Sequence, residues 1–352
     1  MKYVVDSYLE TSDIEWIPQL ARVVVGLIFA SDLPSIPATD VSKSAGDTTG
    51  TDPEYPGIQD FPPALRRKPM KNDNYTIRTM NRNEVDIAIE WAAKEGWNPG
   101  LHDADCYLSA DQNGFLMGFL GDEPIASISV IRYNDAFSFL GFYIVKPEYR
   151  GKGYGIQIWN AGLKYLEGVN IGLDGVVTQQ ENYTKSGFKL AYRNIRYEGV
   201  GGGEQPKNAE IVELSTLPFE TIDHYDQPFF PADRSQFTQA WITQPESHAL
   251  GIMQNGQLAG YGVIRKCRNG YKIGPLYADN PELAESLFLA LKSRTRSSEP
   301  VFLDTPDSNP AAVALAEKNN MSASFETARM YTGDFPETPI WRLFGVTSFE
   351  IG

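Results

Sequence analysis

Arg150, Gly151, Lys152, Gly153, Tyr154 and Gly155 bring two cations and three glycines together in six consecutive residues. Glycine lets a backbone approach a ligand closely, because no side chain intervenes. Before this cluster runs an apolar, aromatic and β-branched stretch from Phe139 that ends at Pro147, which reads as a strand. After it, residues 156–163 read as a helix. A strand, a glycine-rich turn and a helix start make an anion site, since the first N–H groups of a helix have no partner inside it and point outward. Arg150 and Lys152 add positive charge at that place, and the chemistry is that of phosphate binding. The spacing excludes two common phosphate loops. The Walker loop needs Gly-x-x-x-x-Gly-Lys-Ser/Thr. The dinucleotide fingerprint needs its third glycine at the position of Ile156.

Val145-Lys146-Pro147, followed by Arg150-x-x-Gly153-x-Gly155, resembles the pyrophosphate loop of the GNAT superfamily of acyl-CoA-dependent N-acetyltransferases. The resemblance implies that residues 150–155 hold the pyrophosphate of acetyl-CoA, which is a co-substrate. It implies that Tyr143, Ile144 and Val145 offer backbone N–H and C=O groups to the pantetheine and the thioester oxygen, a polarising role. Tyr183 precedes Gly187-Phe188 in the Tyr-x-x-x-Gly-Phe arrangement found in many members, where the tyrosine donates a proton to sulfur. A phenol of pKa about 10 suits that task, because it is protonated near neutrality and can release its proton to a stronger base. One position departs from the pattern. Many members carry an asparagine where this chain has Val176, with Gln179 and Asn182 as the available substitutes.

Deprotonating an amine asks for a base, and the sequence does not single one out. Glu90, Asp103, Asp105 and Asp174 are the carboxylates considered, each more readily a surface or capping residue than a catalyst. Asp174 stands out because it interrupts an apolar strand. The apolar tail ending at Gly352 is a further source of a carboxylate.

The elements that must position these groups follow in the order βααβββαβαβ between Tyr75 and Tyr197, which is the GNAT order. The last strand is expected to close that unit. Residues 211–333 read as a worn copy of residues 75–199. Residues 122–132 align with 255–265. At the same spacing Gly141 falls on Gly274, Phe188 on Met321, Tyr192 on Phe325 and Arg196 on Arg329. One spacing over several segments is the mark of a duplication. The copy lacks the chemistry. Its helix after Pro281 opens with Glu282 and Glu285 and has no glycine cluster, so it would repel phosphate. Ala316 stands where the repeat spacing places Tyr183. Residues 265–278 and 344–350 resemble the degenerate C-terminal domain of tandem GNAT proteins.

The expected fold is therefore α/β (α+β): two tandem GNAT-like domains, each a mixed, mostly antiparallel sheet flanked by helices. The catalytic domain spans 70–199, a flexible linker 200–210 and the degenerate domain 211–352. Residues 1–69 read as a disordered extension rich in Pro, Ser, Thr and Gly, with Met70 as an alternative start. The apolar run at residues 23–30 is shorter than the about 20 residues a bilayer requires.

Composition narrows the partners. The chain of 352 residues has 31 basic and 45 acidic side chains, a formal charge of −14. That opposes nucleic-acid and acidic-membrane binding and suits a cationic substrate. Cys106 and Cys267 are far apart and read as free thiols of a reducing compartment, so a cytoplasmic location is expected. Three scattered histidines give no metal centre. The functional expectation is transfer of acetyl from acetyl-CoA to a small primary amine, without a metal. A non-catalytic acyl-CoA sensor is the alternative.

Overall fold

The computed structural model describes residues 74–207 and 210–352. The expected extension over 1–69 lies outside the described residues. The first half runs β1 (Tyr75–Thr79), α1 (Arg82–Lys94), α2 (Asp103–Ala110), β2 (Phe115–Leu120), β3 (Glu123–Arg132), β4 (Phe137–Val145), α3 (Tyr154–Tyr165), β5 (Asn170–Val176), α4 (Gln180–Lys185) and β6 (Lys189–Val200). The second half repeats that order with β7 (Glu210–Glu213), α5 (Phe219–Asp226), α6 (Ser235–Thr243), β8 (Ser247–Gln254), β9 (Gln257–Lys266), β10 (Tyr271–Ala278), α7 (Pro281–Lys292), β11 (Pro300–Pro306), α8 (Pro310–Lys318) and β12 (Ser322–Tyr331). A short β13 (Leu343–Gly345) then pairs with β10.

Local chemistry sets these boundaries. Asn81 caps α1 by accepting from the Glu84 N–H, and Glu84 bonds back to the Asn81 N–H, so two of the orphan donors at the helix start are satisfied. Asn280 and Asn309 cap α7 and α8, each with a proline just inside the helix. Gly121, at φ 62°, turns the β2–β3 hairpin where the Asp122-Glu123-Pro124 composition predicts a turn.

The strands of the described residues join one sheet in the order β1-β2-β3-β4-β5-β12-β6-β11-β10-β9-β8-β7, with β13 beside β10. This corrects the expectation that the last strand closes its own unit. β6 does not pair with β5. β12, from the second half, pairs with β5 from Thr327↔Val176 to Tyr331↔Gly172. β6 pairs with β11 from Pro300↔Val200 to Pro306↔Asn194, and its other edge lies against β12. The halves thus exchange their final strands. The linker is not free either: Gly201 N–H donates to Glu299 O (2.8 Å) and Gly202 N–H to Lys292 O (3.1 Å).

Helices cover both faces of the sheet. α3 and α4 pack Ile158, Trp159 and Tyr183 on Leu140, Leu173, Ala328 and Met330. α1, α2 and α6 pack on the opposite side of β4, around Phe142, Tyr107 and Trp241, together with Val346, Phe349 and Ile351 of the tail. β4 is therefore sandwiched between two cores, with alternate side chains pointing into each.

Candidate active site

β4 and β5 run parallel and pair only from Phe137↔Asn170 to Leu140↔Leu173. Beyond that point the two strands part, although β4 continues to Val145 and β5 to Val176. The parting coincides with a bulge. Ser129 faces Gly141 and Ser127 faces Ile144, so Phe142 and Tyr143 share one place opposite Ile128. Phe142 holds φ at 45°, a left-handed conformation uncommon for a bulky residue, and Ser127 Oγ donates to its carbonyl (2.9 Å). The open edge of Phe142, Tyr143, Ile144 and Val145 is thus left facing the gap. Phe142 is the member of this edge that the sequence did not reveal; no local composition marks a phenylalanine at positive φ.

The glycine loop stands at the wide end of the gap. Pro147–Tyr149 form a single 3-10 turn, and residues 150–153 lead into α3. Gly151 and Gly153 have φ of 73° and 86°, and a side chain at either would project into open space. Gly153 is the N-cap of α3 and, being glycine, brings no capping side chain of its own. Gly155 serves packing: a β-carbon there would meet the Tyr143 hydroxyl at 2.7 Å and Val145 Cγ2 at 3.2 Å. Glycine at this position lets α3 lie close on β4. The two cations are differently placed. Arg150 Nε donates to Val145 O (2.8 Å) and its Nη2 pairs with Glu95 Oε1 (2.5 Å) at the end of α1. Lys152 Nζ lies 5.3 Å over the Tyr149 ring.

Tyr183 lies beside Gly175 of β5, on the α3 side of β4. Its ring stacks on Trp159 at 5.8 Å and blocks the space beside Gly175, where a β-carbon would collide with it. Burial pushes its phenol well above the usual tyrosine range, with the Tyr143 hydroxyl adding to the effect. Burial also pushes Tyr143 up to about 12. The Tyr183 hydroxyl has no hydrogen-bond partner among the described residues. The hydroxyl is protonated and unengaged, so it is available to an anion formed beside it, while burial makes it a weaker acid than a free tyrosine. Asn182 Nδ2 bonds Gln179 Oε1 (2.7 Å) at the surface, so these two side chains engage each other.

The carboxylates considered as bases are all engaged. Asp103 is fully buried on Arg265 (2.8 and 3.3 Å) and accepts the Gly100 N–H (2.7 Å). Asp174 is clamped by Arg329 (3.0 and 2.6 Å) and accepts from Asn194 (2.8 Å). Asp105 pairs with Arg82 (2.5 Å) and Glu90 with Arg268 (3.3 Å), both at the surface. The sequence held a signal for the buried pairs. Arg265, Arg329 and Arg196 each stand in a β-strand at buried positions, which demands a buried partner. At Gly352 an added β-carbon would touch the rings of Phe230 and Phe139.

In the second half, Asn280 fills the capping position of α7 by accepting from the Leu283 N–H (2.9 Å). Asp279 is bonded by Tyr225 (2.9 Å) and Arg342 (2.5 Å). No glycine loop opens there. Among the described residues no group of His, Cys, Asp and Glu side chains could hold a metal, and no helix is long and apolar enough to cross a membrane. Cys106 and Cys267 are buried free thiols.

Two family profiles match in tandem: the acetyltransferase (GNAT) family over residues 82–188 and the acetyltransferase (GNAT) domain over residues 222–345. The chain is a tandem member of the GNAT superfamily. Like this chain, a holothin acyltransferase of Pseudoalteromonas sp. (strain SANK 73390) extends over both halves; the two are 28% identical over 282 residues, 80% of this chain and 96% of that protein. The uncharacterized N-acetyltransferase YitH of Bacillus subtilis (strain 168) is 24% identical over 232 residues, 64% of this chain and 80% of that one. Two solved structures share the fold. A putative acetyltransferase from Pyrococcus horikoshii superposes with a TM-score of 0.66 at 22% identity, covering 82% of this chain and 99% of its own. A tandem GNAT protein from the clavulanic acid biosynthesis pathway gives 0.54 at 11% identity, covering 74% and 100%. In this GNAT chain the parting of β4 and β5, the glycine loop and Tyr183 all belong to the first half.

Proposed function

We propose that the protein transfers acetyl from acetyl-CoA to the primary amine of a small molecule, within the reducing environment of the cytoplasm. The observation that carries this reading is the gap between β4 and β5 beyond Leu140 and Leu173, with a glycine loop following β4 and Tyr183 beside Gly175 of β5. In this reading the pantetheine lies along the gap and pairs with the open edge of Tyr143, Ile144 and Val145. The backbone of the bulge at Phe142 and Tyr143 polarises the thioester carbonyl. Arg150, Gly151, Lys152, Gly153, Tyr154 and Gly155 receive the pyrophosphate, with Arg150 leaving Glu95 to do so.

The amine attacks the thioester carbonyl, the carbon–sulfur bond breaks, and the departing thiolate takes the Tyr183 proton. The phenol is restored by the proton that the new amide nitrogen loses. The second half carries no acyl-CoA site; it supplies β12 to the edge of β5 and the tail to the far side of β4. The likeness to an acyltransferase named for holothin supports a small-molecule acceptor.

Calorimetric titration of the full chain with acetyl-CoA tests the reading, followed by thiol release with a panel of amines that includes polyamines and amino acids. One site per chain with turnover on some amine supports it. Binding without turnover across the panel favours an acyl-CoA sensor. No binding removes the assignment of the gap.

A further inference from the structure

Five acidic side chains are buried in the described residues: Asp103, Asp174, Asp226, Asp304 and Glu350. Four are gripped by two nitrogens of an arginine. Arg265 holds Asp103 and Arg329 holds Asp174, as above. Arg234 holds Asp226 (2.8 and 2.8 Å), and Arg196 holds Asp304 (2.6 and 2.7 Å). Such a clamp gives a carboxylate two charge-assisted hydrogen bonds and spends its lone pairs. Glu350 is the exception. Its Oε2 accepts from Ser348 Oγ (2.6 Å) and lies 3.2 Å from the Tyr107 hydroxyl, while Oε1 accepts nothing from the described residues. The single phenol proton of Tyr107 cannot serve Glu350 and Asp103, which is also at 3.2 Å, at once. Glu350 is therefore the buried carboxyl, among the described residues, that has no arginine clamp and keeps an oxygen unspent.

Its position matters as much as its bonding. Glu350 reaches the first half from the tail of the second. Its carbonyl accepts Ser129 Oγ (3.2 Å) on β3 and leaves no room for a side chain at Gly141, next to the bulge. The Tyr133 hydroxyl donates to Ile351 O (2.8 Å), and the Tyr107 ring stands edge-on to Phe142 at 5.7 Å. Glu350 therefore belongs to the core on the α2 side of β4, and Tyr183 to the core on the α3 side. The two residues thus stand on opposite faces of β4, with the bulge between them.

We infer that Glu350, supported by Ser348 and Tyr107, is the proton acceptor for the acceptor amine. The inference rests on the function proposed above. An ammonium substrate gives one proton to the Glu350 carboxylate, and the neutral amine then attacks. The other proton lost by nitrogen replaces the one Tyr183 gives to sulfur, so the turnover releases one proton overall, from Glu350. The titratable and charged groups facing Glu350 are Tyr107 and Asp103 on α2, Arg196 on β6 and Lys272 on β10. Asp103 and Arg196 are neutralised in turn by Arg265 on β9 and Asp304 on β11.

The test is Glu350→Gln in the full chain, with Glu350→Asp as the conservative partner. On an aliphatic amine at neutral pH, Glu350→Gln should lose about 100-fold or more in kcat/KM while acetyl-CoA affinity stays within about twofold. The acid limb of the kcat/KM profile should vanish in Glu350→Gln and persist in Glu350→Asp. An aromatic amine, already uncharged at that pH, should be acylated about equally by wild type and Glu350→Gln. Equal losses on both amines, or lost acetyl-CoA affinity, make Glu350 structural and overturn the inference. So does an unchanged profile in Glu350→Gln. If wild type neither binds acetyl-CoA nor turns over, the proposed function fails, and this inference with it.

Discussion

Gly141 on β4 and Glu350 in the tail meet backbone to backbone: a β-carbon on Gly141 would occupy the space of the Glu350 carbonyl. The contact is between an internal strand and a segment that follows the second half, and no flexible side chain cushions it. Gly141→Ala must therefore displace either the tail or the strand. Overpacking of this kind costs about 1–3 kcal/mol. The expected outcome is a lower midpoint in denaturant with an unchanged slope. Faster amide exchange confined to residues 347–351 would show that the tail is the part that moves. Protection unaltered throughout that segment would show that the strand yields instead.

The glycine loop makes a claim about charge that can be separated from strain. Gly153 has φ of 86°, so any L side chain is strained there, yet the space around it is open. Gly153→Ala and Gly153→Glu share the strain and differ in charge. If pyrophosphate sits over the start of α3, Gly153→Ala should weaken acetyl-CoA binding modestly, and Gly153→Glu should abolish it in calorimetry. Equal affinities in the two variants would move the phosphate site elsewhere.

Tyr183→Phe removes a hydroxyl that makes no hydrogen bond within the described residues, and leaves the ring stacked on Trp159. Stability should change by less than about 0.5 kcal/mol. Turnover should fall by about 100-fold or more, as for loss of a general acid, while the acetyl-CoA dissociation constant stays put. A matched loss in affinity would make Tyr183 a binding residue rather than a proton donor.

Acid stability follows from Asp304. Burial alone would raise its carboxyl, but the charge and hydrogen bonds of Arg196, helped by Lys272 and Arg265, more than offset burial and hold it below the usual range. A depressed acid contributes stability that is fully present above its unfolded pKa of about 3.9 and is lost as pH falls through the folded value. As far as this pair decides it, the melting temperature should be level at neutrality and drop below about pH 4. Asp304→Asn should be less stable even at pH 7, by about 3–5 kcal/mol, because Arg196 is left buried without its partner. Its acid limb should be shallower than that of wild type. Parallel limbs would assign the acid sensitivity to other groups.

The parts of this molecule that the sequence reveals are those carried by local pattern. The strand ending at Pro147, the glycines before α3 and the repeated element order are all periodicities or spacings, and the described residues follow them. What the sequence hides is pairing across distance. β6 and β12 alternate in the same way whichever strand lies beside them, so nothing in their pattern tells that they change places. Phe142 has no composition that marks a bulge. Asp103 and Asp174 look like isolated carboxylates in sequence because Arg265 and Arg329 stand far along the chain. Glu350 sits in a short apolar tail and becomes distinctive only when the arginine partners of the other buried acids are known.

The exchange of final strands sets the last expectation. Residues 70–206 on their own would keep β1 to β5 but lose β12, which leaves the β5 edge from Gly172 to Val176 bare. β6 would lose both of its neighbours, since β11 and β12 come from the second half. A long unpaired edge beside an unpaired strand favours association between chains. Residues 70–206 and 207–352 should therefore each be insoluble when expressed alone. Expressed together, they should copurify as an equimolar complex that binds acetyl-CoA once. The competing outcome is a soluble monomer of residues 70–206 that binds acetyl-CoA by itself. β6 would then have folded back onto β5, and the second half would be dispensable for building the site.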